Sequence, residues 1–312
     1  MKTINRVAIL LLMVFTFFAC EKDTVQTSKE PYASLDEFFI KNGSSVQQFT
    51  MNAENGGTIS GSKGASIEFP PNSFQHLNGM PATGNVTISL EEIYKKSDMM
   101  LSRISTSSNG DLLKSGGMFS LTVSQNGENL YMADGKSYVA TIPASNPDFN
   151  MLPYIIAPSD SLNNTNWVMA DTSTINDTVA WGIVNVYAKI YFEASSYIWS
   201  SNWLGWSNCD HIYPGVNNAP ITFSSTDSLN ASLQTFLVFE DNSAIILYQV
   251  NNQLKYENAP EGYKGVMVAL SLKDSGLYAA FVPFTVSDGL QANFTLQPTT
   301  TEDFMADLDA LN

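Results

Sequence analysis

The side chains able to do chemistry are few. The chain of 312 residues holds two histidines, His76 and His211, and two cysteines, Cys20 and Cys209. Cys209, Asp210 and His211 are consecutive. On an extended strand Cys209 and His211 share a face and Asp210 points away. A thiol beside an imidazole is raw material for a nucleophile or for two metal ligands. A structural zinc site wants four ligands, and no second cysteine pair supplies them. The expectation is a buried structural cysteine, with no metal and no cofactor. Glu91 and Glu92 are the closest carboxylates, but neighbouring strand positions face opposite ways, so they form no local glycosidase pair. Nucleophile-elbow, phosphate-loop, dinucleotide and calcium-loop sequences are missing. No catalytic residues are therefore expected and the chain reads as a non-enzyme. A hydrolase whose acids meet only in the fold is the competing possibility.

The densest feature is aromatic. Tyr197, Trp199, Trp203 and Trp206 are interleaved with Ser196, Ser200, Ser201, Asn202 and Gly205. Exposed flat rings beside hydroxyls and amides would stack on sugar faces, making these four residues candidate ligand contacts. The favoured alternative is that they cover the open end of a sandwich, because large rings usually find a core.

The N-terminus addresses the chain. Lys2 and Arg6 precede an apolar run from Val7 to Phe18. The run is shorter than the about 20 residues that span a bilayer, and it reads as a secretory signal. It ends in Phe17, Phe18, Ala19, Cys20. A small residue directly before a cysteine resembles the lipobox of bacterial lipoproteins, with Phe17 where leucine is usual. That resemblance implies diacylglycerol and a palmitate-type acyl group on Cys20, hence a membrane anchor. Glu21, Lys22 and Asp23 partly resemble the acidic export signal of Bacteroidetes-type lipoproteins. This implies the outer membrane and the cell surface, with the periplasmic leaflet as the alternative. With Cys20 lipidated, Cys209 has no disulfide partner. Four Asp-Ser/Thr-apolar triplets resemble the O-glycosylation pattern of the same bacteria, which implies Thr24, Ser161, Thr178 and Ser228 as acceptors.

These residues must be positioned by strands. The net charge of -15 argues against a nucleic-acid partner, which would need a basic face. Ser34–Ile40 is expected as a short helix, with Ser34 and Glu37 as a capping box and Gly43 past its end. Beyond it, helix periodicity nearly vanishes. Asn-Gly or Asp-Gly steps begin at 42, 55, 78, 109, 126, 134 and 288, the strongest short turn signals. Between them apolar residues alternate: Val86, Ile88 and Leu90; Phe119, Leu121 and Val123; Val184, Val186, Ala188, Ile190 and Phe192; Ala292, Phe294 and Leu296. One apolar and one wet face per strand indicates antiparallel sheets packed as sandwiches. Leu233–Phe239 is almost continuously apolar, as a central strand is. Thr300–Leu311 reads as a capped acidic helix with Phe304, Leu308 and Leu311 on one stripe.

Breaks near 143–150 and Pro214–Pro220 predict a signal peptide (1–19), a lipidated tether (20–33), a first sandwich with its helix (34–148), a connecting β-rich region (149–219) and a second sandwich with its helix (220–312). Within 47–142, the run Gly56-Gly57-Thr58, the strand end at Pro70-Pro71 and the strand Val86, Ile88, Leu90 resemble the ZU-type β-sandwich of ankyrins and netrin receptors. The His-Phe-Ser self-cleavage site of some relatives is missing. Leu204–Asp210 resembles a segment recurrent in Bacteroidetes surface lipoproteins. Within 220–297, Thr235–Phe239, the Pro260-Glu261-Gly262 turn and Val266–Leu272 resemble the transthyretin-like or carboxypeptidase-regulatory sandwich. The expectation is all-β: tandem antiparallel sandwiches with short terminal helices. The function expected is that of a lipid-anchored envelope protein with a protein-binding or scaffolding role. A surface glycan-binding lipoprotein of a nutrient-uptake system is the alternative.

Overall fold

The computed structural model describes residues 32–144, 147–156, 166–170, 174–177, 182–186, 188–193, 195–213, 217–226, 232–250 and 253–312. The fold is all-β, with three short helices among the described residues. Four sheets stack face to face, and each of the three gaps between them holds an apolar core.

The first sheet orders its strands Ala188–Glu193, Ser196–Ser201, Tyr138–Pro143, Ser66–Phe69 and Gly57–Ser60. The second runs Gln47–Asn52, Asn85–Ile93, Asp111–Gln125, Trp206–Ile212, Leu152–Ile156 and Trp167–Met169. Val86, Ile88, Leu90, Phe119, Leu121 and Val123 all enter the core between these sheets, as their alternation requires. Strands from 152–212 pair into both sheets, so the boundary expected at 148 does not divide two units. The break expected near 143–150 falls within one sandwich, and the region expected as a connector supplies strands to both of its sheets.

The third sheet orders Ser243–Leu247, Leu233–Phe239, Lys264–Lys273, Gly276–Thr285 and Gln297–Thr299. The fourth orders Gln249–Val250, Gln253–Pro260, Asn218–Ser225 and Leu290–Phe294. Its last pair is parallel, because the chain leaves for the third sheet and re-enters in the same sense. Along Leu233–Phe239, Phe236 and Val238 face the middle core while Leu237 and Phe239 face the core shared with the fourth sheet. Burial on both faces is why this strand is continuously apolar.

The middle core fuses the sandwiches. It joins Ile93, Leu113, Met118, Tyr154 and Trp167 of the second sheet to Phe236, Val268, Leu270 and Leu277 of the third. Three helices plug its rim. The first, α1, spans Leu35–Asn42; Ser34 Oγ accepts from the Glu37 N–H at 3.1 Å and the Glu37 carboxylate accepts from the Ala33 N–H at 2.7 Å. The second, α2, spans Lys96–Leu101 and has no side-chain cap of its own; the Asn312 side chain accepts from the Ser97 N–H at 3.1 Å instead. The third, α3, spans Thr301–Asp309, with Thr300 Oγ1 accepting from the Asp303 N–H at 3.1 Å and with Phe304 and Leu308 buried. Phe38 of α1 meets Phe304 of α3 edge to face at 5.8 Å.

The exposed edge of the third sheet is closed by the first sandwich. The Thr106 N–H donates to the Ala244 carbonyl at 2.7 Å, and the Ala244 N–H donates to Thr106 Oγ1 at 3.0 Å. Ser243 Oγ donates to the Leu113 carbonyl at 2.7 Å, and Asn242 Nδ2 to the Ser115 carbonyl at 2.7 Å. An open strand edge is thereby satisfied without a further strand.

The turns follow the signals. Asn109-Gly110 and Asn126-Gly127 adopt positive φ at both residues (51° and 89°, 53° and 84°) and close two-residue hairpins. Gly56 lies so close to the Phe69 and Pro70 carbonyls that any side chain would collide with them.

Candidate functional site

The aromatic segment is divided among different surroundings. Tyr197 and Trp199 point from Ser196–Ser201 into the core of the first sandwich, at 1% and 0% exposure. Trp199 sits across from Ala140 in the ladder and packs edge-on against Phe119 at 5.9 Å. Trp203 is half-buried against the same core, its indole folded over Gly205, where a side chain would collide with it. Trp206 is half-buried against the middle core, on the other side of the second sheet. The four rings therefore share no surface, and the sugar-stacking platform that their spacing offered is not assembled. The reason is periodicity: 197 and 199 occupy the inward set of their strand, and the sequence crosses to a new sheet before 206.

Cys209, Asp210 and His211 separate in the same way. Cys209 is fully buried in the first core, and burial, followed by the charge of Asp210, pushes its thiol well above the usual range. Such a thiol is a core side chain and not a nucleophile. Asp210 lies on the opposite face, between the sandwiches, with 0% exposure. Asn208 Nδ2 donates to its Oδ2 at 2.8 Å, and Ser115 Oγ donates to Asn208 Oδ1 at 2.8 Å. Asp210 Oδ1 has no hydrogen-bond partner among the described residues. Burial raises its carboxyl well above the ordinary range. The neighbouring Tyr154 hydroxyl is pushed up to about 12, by burial first and by Asp210 second. His211 Nδ1 lies 3.8 Å from Asp148 Oδ2, which Lys114 Nζ approaches to 3.2 Å. The Asn150 N–H, foremost, and then Lys114 hold the Asp148 carboxyl below its usual value.

Opposite Gly116 and Gly117 the ladder slips, with Cys209 facing Gly117 and Asp210 facing Ser115. A side chain at Gly116 would strike the Tyr197 ring, and one at Gly117 the Tyr94 ring. This bulge lets both tyrosines lie on the backbone.

Glu91 and Glu92 face apart, as strand geometry demands. Glu92 is buried and fully partnered. It accepts from the Ala65 N–H at 2.9 Å, the Lys63 N–H at 3.1 Å, Gln47 Nε2 at 2.8 Å and the Tyr94 hydroxyl at 3.1 Å. It clamps the turn between Gly57–Ser60 and Ser66–Phe69, and Gly61 leaves the room its carboxylate occupies. It continues the inward series Val86, Ile88, Leu90 of its strand. Glu91 is half-buried near Ser102 Oγ, and burial raises its carboxyl.

A cavity of about 470 Å³ opens where the third sheet ends beneath the C-terminal end of α3. Val238, Val266, Pro283 and Leu311 supply apolar lining, and Lys96, Glu240 and Lys264 supply charge. A second, of about 400 Å³, lies where the chain enters α1, beside Tyr32, Asp36, Arg103 and Leu233. There Arg103 pairs with Asp36 at 2.5 Å and covers the Phe39 ring.

Among the described residues no three His, Cys, Asp or Glu side chains are grouped to hold a metal ion, and no helix is long and apolar enough to cross a membrane. Cys20, Thr24, Ser161, Thr178 and Ser228 lie outside the described residues. No protein-family model and no curated protein sequence matches the chain.

Proposed function

We propose that the chain is a lipid-anchored protein of a bacterial cell envelope, displayed from the outer membrane, which binds or scaffolds other proteins without catalysis. The observation that carries this reading is the apolar run Val7–Phe18 closing on Ala19-Cys20, the place where a lipoprotein signal is cut and acylated. Residues 21–31 then separate Cys20 from Tyr32, the first described residue. The scaffolding role is supported by the four-layer stack, which presents the outer faces of its first and fourth sheets at opposite ends of one body. The glycan-binding alternative has lost its candidate platform, since Tyr197 and Trp199 are core residues.

The test is fractionation of cells expressing wild type and Cys20→Ala. The wild type is expected in the membrane fraction with an acyl-modified N-terminal peptide by mass spectrometry, and Cys20→Ala in the soluble fraction. Unchanged partitioning would overturn the anchor. Crosslinking on intact cells is expected to recover a protein partner. Retention on polysaccharide with no protein captured would instead favour the glycan reading.

A further inference from the structure

The cavity beneath α3 is lined by a half-buried cation, Lys96. Lys41, Lys63, Arg103, Lys114 and Lys255 each lie within 3.2 Å of a carboxylate oxygen. Lys96, the first residue of α2, is half-buried, yet among the described residues it has no ion-pair partner. Its Nζ reaches only the Glu240 carbonyl, at 3.4 Å. Burial lowers its ammonium from the usual value, and the charges of Glu240 and Asp241 offset part of that effect. A cation held partly out of water and incompletely neutralised attracts an anion more strongly than one on an open surface.

The walls fix what kind of anion. Val238, Val266 and Pro283 stand side by side on three adjacent strands, and Leu311 closes the top. A volume of about 470 Å³ falls within the usual range of small-molecule sites, about 300–1,000 Å³. Lys264 adds a second cation at the mouth. We propose that this cavity binds an organic carboxylate with an unbranched apolar body, of the fatty-acid class, its head held by Lys96 and Lys264 and its chain laid on the apolar floor. Glu240 opposes the headgroup, as does the partial negative charge at the C-terminal end of α3. The site is therefore tuned for a weak, reversible ligand. The inference is independent of the lipid anchor and of any scaffolding role.

The test is calorimetric titration of decanoate into the chain from residue 21 on, which keeps every described residue. Saturable binding to one site is expected. Lys96→Met should weaken it about tenfold or more, Lys96→Arg should retain it, and Glu240→Gln should tighten it. Decyltrimethylammonium, with the same chain length and the opposite charge, should not displace decanoate. Absence of saturable heat, displacement by the cationic amphiphile, or equal affinity in Lys96→Met would each overturn the proposal. Thermal melts guard against misfolding: if Lys96→Met melts early, Glu240→Gln decides alone, and failure to tighten overturns the proposal.

Discussion

Asp210 is a buried acid with one oxygen unpartnered among the described residues, and its carboxyl is pushed upward by burial. The folded chain therefore holds a proton that the unfolded chain has already released above its ordinary value of 3.8. Folding takes up that proton, so this residue's contribution to stability falls as pH rises from there toward the folded value. The limiting slope is about 1.4 kcal/mol per pH unit. Asp210→Asn keeps the shape and an acceptor for Asn208 while removing the titration. Urea midpoints for this variant and wild type are expected to agree near pH 4 and to diverge in the variant's favour as pH rises above it. Parallel curves across the range would show that Asp210 is ionised in the fold. Glu92 follows Leu90 on the apolar face of its strand, but neither its partners nor those of Asp210 were legible in the sequence. Burial of an acid depends on which residues from distant strands come to face it: Asn208 and Ser115 for one, the 61–65 turn for the other.

At the level of elements, local signals were read where the cause is local. The caps at Ser34 and Thr300, the Asn-Gly hairpins and the alternation through 86–90 and 119–123 depend on side chains a few residues apart, and each forms as its spacing implies. The Asp274-Ser275 turn escaped notice because it reaches positive φ at both residues without glycine. Helix α2 escaped because its cap comes from the far end of the chain. Asn312 serves Ser97 twice, accepting from its N–H and donating to its hydroxyl at 2.8 Å. Asn312→Ala is expected to cost about 1 kcal/mol, read as a lower denaturant midpoint, with the first protection lost in hydrogen exchange at 97–101. An unchanged midpoint would show that α2 is held by Met99, Met100 and Leu101 alone.

For the whole molecule, the tandem-sandwich class was visible in the sequence but the seam between the sandwiches was not. Nothing in an alternating strand says whether its second face meets water or another sheet. Thr87 and Ser89 are half-buried on that face, while Met118 and Leu113 are sealed in the middle core. Because that core draws on both sandwiches and all three helices, neither sandwich can open without exposing the other. Calorimetry is expected to show one cooperative transition, with van't Hoff and calorimetric enthalpies in agreement, although the chain exceeds the about 150 residues within which such behaviour is usual. Two separable peaks would mean that the seam is weaker than its burial indicates.

The meeting of α1 with α3 has a geometric consequence. Tyr32 Oη lies 3.5 Å from Thr301 Oγ1, so the entry to α1 and the first turn of α3 meet at the waist of the stack. A molecule tethered through residues preceding Tyr32 would hang from its midpoint like a balance beam, both outer sheets projecting sideways and neither pressed to the surface below.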